Sequence, residues 1–224
     1  MIRQVALLTL RAGCTPARLR AFEAALDAAD RELGAVSHSQ LGRHLAGSLC
    51  GDYTWDVRFA GANPPTLEAL LASAPLAGWF DPQSADCVVA DTDAVRFAPQ
   101  GREIQAPALA KGIKRTLLLR VAPTTPPEIC ERFERDIQRM PGYVAEIRNW
   151  AFSRTDSALH ATDWTHVWEQ EYDALDGLQG AYMLSPFHWG YIDGWFDPEF
   201  PQRVVEDRFA HVFCGTPSSV LAWE

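Results

Sequence analysis

Long apolar runs are absent from this chain of 224 residues. No stretch approaches the ~20 residues that a membrane-spanning helix needs. Basic runs are absent too, and the net charge is −9, so nucleic acid and anionic membrane are poor partners. No glycine-rich loop of the GxGxxG or GxxxxGK type occurs, which argues against a nucleotide cofactor. No HxH, HExxH or CxxC spacing occurs either, which argues against a structural metal. The five cysteines are scattered and odd in number, as expected for buried thiols in a reducing compartment. We therefore expect a cytoplasmic protein with no cofactor and no metal. The opening "MIRQVALLTLRAG" reads as a strand rather than a leader, because no small-residue cleavage site follows it.

What is present is an ordinary globular balance, with 47% hydrophobic and 22% charged residues, and a repeat. "GWFDPQSADCVVADTDAVRF" (78–97) falls on "GWFDPEFPQRVVEDRFAHVF" (194–213) with ten identities in twenty positions. "IRQVALLTL" (2–10) falls on "IKRTLLLRV" (113–121), and "YTWDVRF" (53–59) is placed on "WTHVWEQ" (164–170). A period of about 111 residues over nearly the whole chain implies two domains, 1–100 and 113–224, joined by a polar segment at 101–112.

Each half reads β-α-β-β-α-β, the ferredoxin-like unit. Apolar runs at 2–10 and 113–121 suit buried strands. Helices follow, with Thr15 and Thr125 as caps, each before a proline, and apolar positions at helical spacing (Leu19, Phe22, Leu26, Leu33; Ile129, Phe133, Ile137, Met140). Strands are expected near 43–50 and 53–60, and near 143–153 and 163–172. Second helices are expected at 66–74 and 174–184, capped by Thr66 and Asp173, and last strands near 87–97 and 203–214. The fold class is α+β: tandem ferredoxin-like units whose two sheets can cover each other as an intrachain dimeric α/β barrel. The chain is then its own pseudo-dimer, with a further homodimer as an option.

"IKRTLLLRV", the Thr-Pro helix start and above all "YMLSPFHWGY" (182–191) resemble the stress-responsive dimeric α/β-barrel (Dabb) family, here as two fused domains. The last stretch is similar to the family motif Tyr-x-x-[His/Ser]-Pro-x-His-x-x-[Phe/Tyr]. More distantly the chain is similar to the plant polyketide cyclase that makes olivetolic acid. That resemblance implies catalytic roles for Tyr182 and His188. The histidine on the cyclase's first strand corresponds to Arg115, which cannot act as a base but can hold an enolate or carboxylate oxygen.

The residues carry a reading of their own. His188 lies in a five-residue excess that the first copy of the Gly-Trp-Phe-Asp-Pro segment lacks, and imidazole suits general base chemistry. A structural histidine at a helix end is the plain alternative. Tyr182 can donate to a carbonyl or simply pack. Period-2 alternation puts Trp164, His166, Trp168 and Gln170 on one strand face, a wall suited to a flat aromatic ligand or to a bulky core. Tryptophans 150, 164, 168, 189, 195 and 223 fall in the second half, against only 55 and 79 in the first. The second half thus reads as the equipped one, with Trp164, His166, Trp168, Trp189 and Trp150 as ligand-binding candidates. Two functions stay open. One is a cofactor-free, polyketide cyclase-like enzyme acting on a small apolar or aromatic carbonyl compound through His188, Tyr182 and Arg115. The other is a non-catalytic stress or small-molecule-binding protein.

Overall fold

A computed structural model describes residues 1–223. The chain forms two compact units, residues 1–99 with 155–162, and residues 100–154 with the chain from 163 onward. In the first, β1 (Arg3–Leu10), α1 (Pro16–Asp27), α2 (Ala29–Glu32), β2 (Val36–Arg43), β3 (Tyr53–Phe59), α3 (Leu67–Leu71), α4 (Ala77–Phe80) and β4 (Val89–Phe97) follow in order. Their antiparallel sheet runs β2-β3-β1-β4, the strand order of a ferredoxin-like unit. The second unit repeats it with β6 (Ala110–Leu119), α5 (Pro127–Arg139), β7 (Asn149–Arg154), β8 (His166–Tyr172) and β9 (Ala210–Ser218), and adds an edge strand, β5 (Gly101–Ile104). Its order is β5-β7-β8-β6-β9. Both sheets are open, each with two edge strands.

Local chemistry explains the elements. Thr15 caps α1 by accepting from Arg18 N at 3.3 Å, and Pro16 supplies the preset φ of a first turn. Phe22 and Leu26, four apart, face the sheet and are fully buried, with the Phe22 ring edge-on to Tyr53. Each such side chain contributes about 1.5–3 kcal/mol of apolar burial. In the second unit Phe133 and Ile137 of α5 do the same, and Phe133 meets Phe152, His166 and Trp195 edge-on. β1 and β8 are buried on both faces. On the face away from the helices each sheet carries a buried ion pair, Arg3–Asp56 at 3.1 Å in the first and Lys114–Glu169 at 3.0 Å in the second.

Several expectations need correction. The strand placed at 43–50 lies earlier, at β2. Residues 47–51 cannot continue an extended path, because Gly47, Cys50 and Gly51 all take positive φ (94°, 81° and 70°). The join read at 101–112 contains β5, which pairs with β7 from Gly101↔Phe152 to Ile104↔Asn149. Thr125 does not cap α5, whose N-cap is Pro126, and Asp176 rather than Asp173 opens the next helical turn. That turn, Gly177–Tyr182, is π-helical, as is His188–Ile192.

The middle of the repeat is also displaced by two residues. Ladder register sets Arg3↔Arg58 against Lys114↔Glu171, so Trp55 corresponds to Trp168 and Tyr53 to His166. The last strand is displaced by one. Arg3 pairs with Phe97 and Ala6 with Ala94, whereas Lys114 pairs with Cys214 and Leu117 with His211. A one-residue slip exchanges the faces of a strand. Phe213, the sequence twin of Phe97, therefore points to the opposite side of its sheet, and His211 comes to the helix-covered face at the place of Ala94.

Candidate functional site

The helix-covered face of the second sheet collects polar groups that the first sheet lacks. Cross-strand pairing places Arg115 of β6 opposite Gln170 of β8 and Phe213 of β9, and Leu117 opposite Trp168 and His211. Trp150 of β7 lies opposite Gln170. Arg115 Nη1 donates to Gln170 Oε1 at 2.5 Å, and the guanidinium stacks over the Tyr182 ring at 4.7 Å. The Tyr182 and His188 rings lie 4.9 Å apart. Arg115, Tyr182 and His188, selected from the sequence, are therefore brought together. Tyr182 ends one π-helical turn and His188 begins the other, and π turns concentrate at functional positions.

Most side chains here are buried and incompletely bonded. Arg115 Nε, Gln170 Nε2, the Tyr172 hydroxyl, His188 Nδ1, His211 Nε2 and the indole nitrogens of Trp150 and Trp168 have no hydrogen-bond partner among the described residues. Buried polar groups are normally paired, so this concentration marks the face. Burial, then the nearby Arg115 charge, pushes His188 down to about 4. Burial, then Arg115 and His188, pushes His211 down to about 3. Both imidazoles are thus neutral at pH 7. Burial also raises the Tyr172 phenol well above its ordinary value, so its hydroxyl keeps its proton.

The equivalent face of the first unit carries fewer such atoms, Gln4 Nε2 and Arg96 Nη2. Ser39 stands at the place of Trp150, and Trp55 Nε1 donates to Ser39 Oγ at 2.8 Å. In the second unit no such oxygen serves Trp168, whose ring is tilted against Trp150 at 5.5 Å.

The other sequence candidates lie apart. His166 is committed to the helix: its Nε2 is 3.0 Å from Glu134 Oε1, its Nδ1 2.8 Å from Thr165 Oγ1, and Phe152 stacks on it at 5.4 Å. Trp164 precedes β8 and is buried with Arg208 over its ring at 4.7 Å. Trp189 is exposed, edge-on to His188 at 5.4 Å. His166 also joins a group that sequence spacing missed: ligand atoms of Cys130, Glu134 and His166 lie within 4.8 Å of one another. Arg154 Nε donates to the same Glu134 oxygen at 2.6 Å, which neutralises the carboxylate that a cation needs. A cleft of about 410 Å³ lined by Ala122 and residues 203–208 shares no residue with the helix-covered face.

Residues 113–210 match the family model of the stress responsive A/B barrel domain, Dabb. The second half of the chain is a Dabb domain. No curated protein matches the chain, but solved structures show the fold over its full length. An anthrone oxidase-like protein superposes with a TM-score of 0.60 at 11% identity, covering 100% of this chain and 94% of its own. A protein assigned provisionally as a monooxygenase, from Lactobacillus acidophilus, gives 0.55 at 11% identity with 98% of both chains covered. Chlorite dismutase from Candidatus Nitrospira defluvii gives 0.58 at 8% identity, covering 96% and 91%. Among the described residues no helix is long and apolar enough to cross a membrane.

Within the Dabb domain, sequence reasoning passed over Tyr172 and His211. Tyr172 continues the alternation of His166, Trp168 and Gln170 and was legible from it. His211 was not, because its face depends on the one-residue slip of β9.

Proposed function

We propose that the Dabb domain binds a small apolar or aromatic carbonyl compound on the helix-covered face of its sheet, in the manner of a cofactor-independent, polyketide cyclase-like enzyme. The observation that carries this reading is the cluster of buried, unpartnered polar atoms around Arg115, walled by Trp150, Trp168 and Phe213. Aromatic walls with a few convergent polar groups are how proteins hold such ligands. The neutral His188 imidazole takes a proton from the carbon next to the carbonyl. Arg115 and Tyr182 steady the resulting enolate, a task for fixed donors in a dry site. Ring closure needs the same enolate. Two fold relatives bear names, anthrone oxidase-like and monooxygenase, that suit an aromatic carbonyl as the ligand class.

One observation favours a second, non-catalytic reading. A histidine held near 4 is a weak base at pH 7, since general bases work best near the operating pH. Benzoylacetone, an enolisable aromatic dicarbonyl, separates the two. Tryptophan fluorescence reports binding, and proton NMR in deuterated buffer reports α-proton exchange. Binding with accelerated exchange supports the enzyme, binding without it supports the passive site, and no binding rejects both.

A further inference from the structure

We infer that the ligand of this site is an anion, a small aromatic or apolar acid whose oxyanion docks on Arg115, with His211 as a second polar wall. The inference rests on the reading that this face binds a small aromatic molecule, and it adds the charge of that molecule.

The face holds buried donors without acceptors. Gln170 spends its oxygen on Arg115, so its free atom is an N–H donor. Arg115 Nε, the Tyr172 hydroxyl and the Trp150 and Trp168 indoles are donors as well. Five buried donors therefore stand on one sheet face with no acceptor to meet them. The two unpartnered imidazole nitrogens, on His188 and His211, serve either role by tautomer. What completes such a surface is a ligand rich in acceptors.

Charge narrows it further. Arg115 is 5% exposed and makes no ion pair with a carboxylate among the described residues. The carboxylates of the neighbouring strand alternate to the opposite face and are already engaged there. Glu169 pairs with Lys114 at 3.0 Å. Glu171 accepts from Asn149, Ser219, Val220 and Leu221. The neutral histidines supply no negative charge. By contrast, buried Arg3 of the first unit has its aspartate. Arg96, also buried, feels the charge of Glu68, gives Nε to Gln4 and Nη1 to the Pro65 carbonyl, and leaves Nη2 without a partner among the described residues. Arg115 has one neutral acceptor and a tyrosine ring. A buried cation without a counter-charge is costly unless something pairs with it, and an oxyanion here gains charge-assisted hydrogen bonds.

The test uses the full chain and two probes with the same ring system, 1-naphthoate and uncharged 1-naphthalenemethanol, followed by calorimetry and tryptophan fluorescence. Naphthoate is expected to bind at least about ten-fold more tightly, the lower end of what a hydrogen bond to a charged group contributes. Arg115→Gln should weaken naphthoate by about 10- to 100-fold and leave naphthalenemethanol unchanged. Its melting temperature without ligand should hold or rise, because a buried unpaired charge has gone. His211→Ala, which installs the residue of the first unit, should weaken naphthoate several-fold with the melt preserved. Equal binding of the two probes overturns the anion inference and leaves the aromatic site standing; that comparison needs no variant. Binding of neither probe, nor of benzoylacetone, overturns both. A sharp drop in the Arg115→Gln melt makes the arginine a structural strut and sinks the inference as well.

Discussion

Arg115 Nη1 donates to Gln170 Oε1 at 2.5 Å, and the first unit holds the same two residue types on a different pair of strands, Arg96 Nε of β4 donating to Gln4 Oε1 of β1 at 2.8 Å. Gln4 occupies on β1 the place that Arg115 holds on β6, and Arg96 occupies on β4 the place of Phe213 on β9. The difference in strands changes what each guanidinium can do. Arg96 reaches the Pro65 carbonyl and covers the Phe59 ring at 4.9 Å, so it ties a loop to the sheet. Arg115 covers Tyr182 at 4.7 Å, and its charge adds to burial in keeping His188 and His211 neutral. An arginine–glutamine pair thus serves scaffolding in the first unit, whereas in the second it stands beside Tyr182 and His188 on the candidate face.

His188→Ala tests the enzyme reading directly. Turnover of an enolisable substrate should fall about 10²–10⁴-fold, the usual cost of losing a positioned base. The melting temperature should stay within about a degree, because the first unit reaches its Gly-Trp-Phe-Asp-Pro segment without the five extra residues and His188 Nδ1 has no hydrogen-bond partner among the described residues. Tyr182→Phe should cost less, since the ring keeps its place against Arg115. A melt lowered by several degrees in His188→Ala makes the residue structural.

The neutral histidines set an acid limit on stability. Their folded values, about 4 for His188 and about 3 for His211, lie below the ordinary 6.5. The unfolded chain therefore binds more protons between those values and 6.5, and stability falls as pH drops through that window. The slope is at most about 1.4 kcal/mol per pH unit for each histidine, and less for the half-exposed His188. Glu134, held down to about 2 through its hydrogen bonds to His166 and Arg154 against the opposing effect of burial, gives up its contribution in a lower window, below about 4.5. Melting curves of wild type and His211→Ala between pH 7.5 and 4.5 separate the two. The wild type should lose more degrees over that range than the variant, and parallel curves refute the assignment.

Ser39 gives a comparison between the halves. Its hydroxyl donates to Leu26 O at 2.6 Å and accepts from Trp55 Nε1 at 2.8 Å. Ser39→Ala leaves a buried indole N–H without a partner, a loss of about 1–3 kcal/mol, visible as a lower melting temperature. The reverse change in the second unit, Trp150→Ser, places a hydroxyl where it can serve Trp168 and removes a wall of the candidate site. It should abolish tryptophan quenching by naphthoate more than it lowers the melt. Unchanged quenching in Trp150→Ser would move the ligand away from this face.

The fold was legible because the repeat is written in side chains that fold and pack: the Gly-Trp-Phe-Asp-Pro segment, the Thr-Pro helix start at residue 15 and the apolar first strands. Tyr182, His188 and Arg115 were legible as a group because a motif and a strand alignment name them. Register was not legible. Aligning "YTWDVRF" with residues 164–170 set Trp55 on His166, whereas ladder pairing sets it on Trp168, an even displacement that left the faces intact and the error invisible. The odd displacement of β9 had the opposite effect. It carried His211 onto the site face, a change that ten identities in twenty positions conceal because the residues match while their directions do not. His166 failed as a ligand candidate for another reason. Its partner Glu134 lies on α5, and strand alternation says nothing about what a helix lays across the strand.

Glu171 lies on the side of the sheet away from Arg115. Its carboxylate is fully buried and accepts four donors: Asn149 Nδ2 at 2.7 Å, Ser219 Oγ at 2.5 Å, Val220 N at 2.6 Å and Leu221 N at 3.2 Å. Asn149 extends the network by exchanging two hydrogen bonds with the backbone of Ala106. One side chain thus ties the segment after β9, and through Asn149 the segment before β6, to the middle of the sheet. Glu171→Gln keeps the volume but turns an oxygen that accepts into an amide that donates, opposite donors that cannot turn away. The cost should be about 2–4 kcal/mol, between a lost charge-assisted hydrogen bond and a broken buried charge network, and the melting temperature should fall by several degrees. Hydrogen exchange locates the effect: the Val220 and Leu221 amides should lose protection first, while amides of β1 and β3 keep theirs. Binding of naphthoate per folded molecule should not change, because Glu171 faces away from Arg115. Retained protection at Val220 and Leu221 would mean that the backbone of the C-terminal segment is held by something other than this carboxylate.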